Sequence, residues 1–136
     1  MKFSLIVLVA VLTAGAGAGL AGWQPTGTGV GSVGSKTMPG PGATPTASVS
    51  SHSVTVSWTA STFAGGGAVP SYVVKRYDAV LGTTQTVAAG CGDLVSATSC
   101  VEAGVPTGTW KYSITPAAGS WRGTEGAQSS TVVVTV

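Results

Sequence analysis

Four carboxylates, Asp78, Asp93, Glu102 and Glu125, are the only acids in the sequence, so hydrolytic chemistry would have to start from them. A glycosidase-type pair needs its carboxyl groups within about 5–10 Å of each other. Each of these acids falls in a different turn or strand end, and none has a partner nearby in sequence. The single imidazole, His52, could act as base for one of many serines. It sits, however, in Ser50-Ser51-His52-Ser53, a polar turn in which a solvated histidine is the ordinary outcome. The string Gly29-Val30-Gly31-Ser32-Val33-Gly34 matches a dinucleotide-binding fingerprint by spelling. That fingerprint has meaning only between a strand and a helix, with an acid about 20 residues on. Prolines follow it here and no acid is near. The sequence is not that of an enzyme: no catalytic, cofactor-binding or metal-ligating residue is expected, and no cofactor.

Cys91 and Cys100 are the only cysteines. An even count in an exported chain reads as a disulfide. A metal would need more ligands, and a redox pair would favour two intervening residues. The bridge should pin the loop between the fourth and fifth strands. The formal charge is 6 − 4 = +2, and Lys75-Arg76 is the only adjacent basic pair. Neighbours on a strand point to opposite faces, so no basic cluster forms for phosphate backbones and no nucleic-acid partner is expected.

Aromatic residues remain as candidates. Trp121 stands beside Arg122 in a loop before the last expected strand, and Phe63 stands in the loop between the second and third. A tryptophan–arginine pair with a neighbouring phenylalanine could serve as a binding hot spot or as a platform for a sugar ring. Packing of Trp121 against the sheet edge is the alternative. Trp110 alternates in phase with Tyr112, which suggests core or domain-end packing.

The elements that must position these residues begin with a leader. Met1-Lys2 precedes the apolar run Phe3–Leu12, and small residues follow from Ala14 to Gly22. A positive start, an apolar stretch and Ala-x-Ala endings at Ala16 and Ala18 make residues 1–22 a secretory signal peptide, or an N-terminal membrane anchor if uncleaved. Cleavage is preferred because the glycine-rich half is poor membrane helix. The remainder is therefore expected outside the cytoplasm, secreted or anchored, with membrane contact only through that segment. Residues 23–43 are rich in Gly, Pro, Ser and Thr and read as a flexible linker.

After Pro45 the pattern changes. Val54, Val56 and Trp58 alternate with Ser and Thr, the period of a half-buried strand. Further strands are expected at Thr46–Ser50, Ser71–Tyr77, Thr83–Val87, Ala97–Glu102, Thr109–Thr115 and Ser129–Val136, with glycine and proline turns between. Seven short strands and no helical periodicity predict an all-β, seven-stranded immunoglobulin-like sandwich over residues 44–136. Val54, Val56, Trp58, Tyr72, Val74, Tyr112 and Ile114 are its expected core.

Several of these segments resemble a bacterial fibronectin type III domain. Val54-x-Val56-x-Trp58 is similar to that family's second strand, and Tyr72-Val73-Val74-Lys75-Arg76 to its third. Val105 to Ile114 is similar to the approach and start of its sixth strand, and Gly119-Ser120-Trp121-Arg122-Gly123 to the exit from it. The resemblance implies a tyrosine corner, assigned here to Tyr112 rather than Trp110. It specifies a fold well and a function poorly, because such domains host many roles. The expected function is a non-catalytic exported surface or secreted module for protein interaction, adhesion or spacing, with a protein or glycan of the cell surface as partner. The alternative is a carbohydrate-binding module using Trp121 and Phe63.

Overall fold

The computed structural model describes residues 36–136. The expected leader, residues 1–22, and residues 23–35 of the expected linker lie outside the described residues.

The described chain contains eight strands and no helix. Thr46–Ser50 (β1) and Ser53–Ser57 (β2) form a tight hairpin in which Ser50 faces Ser53 and Ser51 takes a positive φ of 55°. Ser99–Glu102 (β5) adds to the other side of β2, which gives the sheet order β1-β2-β5. Ser71–Asp78 (β3) and Gly108–Ala118 (β6) pair antiparallel along their length and make the centre of the second sheet. Thr84–Gln85 (β4) flanks β3, while Trp121–Arg122 (β7) and Val132–Val134 (β8) both pair with β6. All pairings are antiparallel, and the two sheets pack face to face.

The core follows the period of two. Val54, Val56, Tyr72, Val74, Tyr112 and Ile114 point inward, with Val69, Val105 and Val134 closing the gaps. Trp58 meets Tyr72 across the sandwich edge-to-face, with ring centroids 5.4 Å apart, an arrangement aromatic pairs favour. Cys91 and Cys100 form a disulfide across a sequence separation of 9, with both residues buried.

Strand boundaries differ from expectation mainly along the last edge. The segment expected as one strand from Ser129 contracts to β8, and Trp121–Arg122, expected as loop, pairs with Ala117 and Ala118. Between them the chain still follows β6 through single hydrogen bonds, Gly123 N to Pro116 O, Gly126 N to Ile114 O and Ser129 N to Tyr112 O. A broken edge of this kind exposes few unpaired backbone groups.

Contacts with the sandwich also begin before residue 43. Thr37 O accepts from Ala64 N, Gly42 N donates to Thr124 O, and the Lys36 ammonium lies 5.3 Å from the Phe63 ring centroid. Gly42 and Gly126 permit this: a Cβ on Gly126 would lie 2.2 Å from Gly42 O, and one on Gly42 would lie 2.2 Å from Ile114 O. Gly42 of the expected linker and Gly126 of the sandwich thus serve close backbone approach.

Replacing Cys91 and Cys100 together by alanine should lower unfolding free energy by about 2–3 kcal/mol through the larger entropy of the opened chain. Denaturant titration of the purified variant checks this. An unchanged midpoint would mean that the bridge contributes nothing to the sandwich.

Candidate functional site

The outward residues of β3 are Val73, Lys75 and Tyr77, the set left over when Tyr72, Val74 and Arg76 turn inward. On β6 their partners are Thr115, Ser113 and Lys111. The chain after β7 crosses this face, and Glu125 reaches over β6. One carboxylate oxygen accepts from the Lys75 ammonium at 2.6 Å, and the other accepts from the Tyr77 and Ser113 hydroxyls. Val73, Lys75, Thr115, Arg122, Gly123 and Glu125 line an open groove of about 290 Å³.

Charges in the groove hold one another. Burial pushes the Glu125 carboxyl upward, but the hydrogen bonds from Lys75, Ser113 and Tyr77 outweigh it and keep the group below the usual carboxylate range. The hydrogen bond to Glu125 raises Lys75 against the opposing cost of its partial burial. Thr115 is 7% exposed, and its hydroxyl oxygen is buried without a hydrogen-bond partner.

Arg122 pairs with Ala117 and faces the groove; its Nη1 donates to Gly119 O and Trp121 O, which braces the β6–β7 turn. Trp121 pairs one position away with Ala118 and so takes the opposite phase. It extends past the end of the core and is 64% exposed, whereas Trp58 and Trp110 are 8% and 7%. The two residues read as a pair thus serve different surfaces. Phe63 is half-buried, packed on the core and covered by Lys36. Its loop lies at the same end as Trp121, since β3 starts opposite Ala117. The described contacts join Phe63 to the core and not to Trp121.

At the other end of the sandwich lies a cluster that the sequence did not disclose. Glu102 of β5 is fully buried and Arg76 of β3 nearly so. Arg76 Nη1 donates to one Glu102 oxygen, which also accepts from Ala88 N at 2.7 Å; the Tyr112 hydroxyl donates to the other at 2.8 Å. Arg76 Nη2 donates to Thr86 O, and the guanidinium lies 4.8 Å from the Trp110 ring centroid. Burial, then the bond to Glu102, pushes the Tyr112 phenol well above its usual range. Glu102 was expected as an isolated strand-end acid and Arg76 as half of a basic pair. Their meeting depends on two sheets closing across a sequence separation of 26.

The tyrosine corner requires a correction. Tyr112 OH goes to Glu102, whereas Trp110 Nε1 donates to Pro106 O at 2.9 Å, the upstream backbone bond that defines such a corner. Trp110 fills the role because it lies nearer the turn, and Gly108 lets its ring fold back: a Cβ there would lie 2.7 Å from the indole.

Asp78 Oδ1 accepts from Val80 N and Leu81 N in the β3–β4 turn, Asp93 is exposed in the disulfide-closed loop, and His52 is exposed in the β1–β2 turn. Among the described residues no three His, Cys, Asp or Glu side chains converge on a metal-sized site.

No protein-family model and no curated protein matches the chain. Solved structures do. Domains A168–A170 of titin superpose with a TM-score of 0.60 at 15% identity, covering 73% of this chain and 33% of that one. The twitchin kinase region from C. elegans gives 0.59 at 17% identity, covering 72% and 17%. Titin kinase with its flanking domains gives 0.58 at 16% identity, covering 71% and 17%. The chain spans at most a third of these structures. The fold is that of the immunoglobulin-like and fibronectin type III sandwiches.

Truncating Glu102 to alanine should destabilise the domain by about 3–5 kcal/mol, since Arg76 would remain buried without its counter-ion; chemical denaturation reads this. The Glu125 carboxyl titrates lower in the folded chain than when unfolded, so its stabilisation holds above the ordinary carboxylate range and disappears as pH falls through the folded value. Lys75 acts in the opposite sense: its contribution holds below the ordinary lysine value and is lost as pH rises through the raised one. Glu125→Gln should flatten the acid side of the stability–pH curve, and an unchanged profile would refute the linkage.

Proposed function

We propose that this chain is an exported, non-catalytic domain for protein interaction, and that the β6–β7 end of the sandwich carries its contact surface. The observation behind this reading is Trp121, left mostly in water on a braced hairpin while two other tryptophans are buried. Tryptophan is enriched among residues that dominate binding energy, and a rigid hairpin loses little entropy on docking. The fold supports the reading without selecting a partner, because such sandwiches serve many roles. The dispersed use of the four acids supports a non-catalytic role. Glu102 and Glu125 are held by donors, Asp78 caps a turn, and Asp93 stands alone in its loop.

A saccharide platform built on Trp121 and Phe63 has less support, since Phe63 packs on the core under Lys36. The leader supports export, with a mature chain beginning near Gly17 or Gly19.

A photo-reactive phenylalanine at position 121 should cross-link to a discrete protein on intact cells or in medium. The same residue at exposed Val133 should not give that product. A glycan array should stay blank, and the mass of the exported form should locate its first residue. Labelling no different between positions 121 and 133 would refute the contact surface. Saccharide binding lost in Trp121→Ala would replace the protein partner by a glycan.

A further inference from the structure

The groove on the outer face of β3 and β6 takes Arg122 from the β6–β7 hairpin, on the face opposite in phase to Trp121. Its lining carries two cations and one carboxylate, 2 − 1 = +1. Glu125 is occupied by Lys75, Tyr77 and Ser113, so the carboxylate and the ammonium neutralise each other. The remaining cation is Arg122. Its Nη1 is used within the hairpin, and among the described residues its Nε and Nη2 make no hydrogen bond. That edge of a guanidinium is the fork that receives a carboxylate through two parallel bonds. Thr115 lines the same groove with a buried hydroxyl that has no partner. A buried hydroxyl left unpaired is unfavourable, which favours an occupant of the groove that supplies the missing bond. Val73 supplies an apolar wall.

We infer that this groove accepts a carboxylate side chain of a partner protein, held by the Arg122 guanidinium and the Thr115 hydroxyl. The inference rests on the interaction reading above and names the chemistry of the partner. Size favours a single side chain: about 290 Å³ lies just below the roughly 300–1,000 Å³ range of ligand sites. The electrostatics favour an anion over a cation, because the groove's only carboxylate is already paired.

The test uses the purified exported chain, labelled with ¹⁵N and titrated with N-acetyl-glutamate amide, with N-acetyl-glutamine amide as neutral isostere and glucuronate as sugar acid. The expected result is saturable shifts of the Arg122 Nε–H, Gly123 and Thr115 signals with the glutamate probe, weaker at high salt and absent with the isostere. Arg122→Lys keeps the charge and loses the fork, and should weaken binding about tenfold, the scale of one lost charged hydrogen bond. Thr115→Val should weaken binding several-fold while raising the melting temperature, since it removes an unpaired hydroxyl; a merely structural threonine would not link the two. Absence of saturable shifts, equal binding of the isostere, or unchanged binding in both variants overturns the assignment. Tighter binding of glucuronate than of the glutamate probe overturns the protein source. A silent groove with persistent cross-linking at position 121 removes this inference alone, whereas a bound probe without that cross-link removes the contact surface and leaves the carboxylate site.

Discussion

Two sheets can stack on hydrophobic residues alone, but here one end of the stack closes on an ion pair. Arg76 belongs to one sheet and Glu102 to the other, and each is buried with the other as its counter-charge. Removing both from water is costly, and their attraction offsets that cost only when the remaining hydrogen-bonding sites are filled. Ala88 N, Tyr112 OH and Thr86 O fill most of them, and the Trp110 ring covers the guanidinium. The cluster therefore constrains more than itself. It holds the chain between β4 and β5 against the sandwich, orients Tyr112 at the centre of β6, and sets where Trp110 lies. Slipping β3 by one residue would put Arg76 in water and leave Glu102 buried alone, so the pair also fixes register.

The opposite end uses different physics. Trp58 and Tyr72 meet edge-to-face, and the loop beside them is held by the disulfide and by paired hydrogen bonds between Tyr72 and Val95. Packing and covalent closure do there what charge does at the Arg76 end. Both ends being held, the outer face of β3 and β6 is a firm platform, and the groove with Lys75, Thr115 and Glu125 depends on it.

Much of this was readable in the sequence because the inward set repeats every second residue. Val54, Val56 and Trp58, then Tyr72 and Val74, then Tyr112 and Ile114, declare their faces without reference to any partner strand. The same alternation gave Arg76 an inward phase, but a charge in that position is uninterpretable until Glu102 is known to oppose it. Lys75 and Glu125 are 50 residues apart, and only the crossing of the last edge over β6 brings them together. Trp121 and Arg122 looked like one surface because they are adjacent in sequence; pairing with β6 separated them. The tyrosine corner shifted to Trp110 for a local reason, since the glycine at 108 gives the indole room that a spacing argument cannot see.

The glycine pair at 42 and 126 has a mechanical side. A pull on the N-terminal end of the described chain is passed to the sandwich through the Thr37–Ala64 and Gly42–Thr124 hydrogen bonds. Thr124 is the immediate neighbour of Glu125, whose carboxylate grips Lys75. A pull applied there would reach the sandwich one residue from the groove wall, through backbone hydrogen bonds alone.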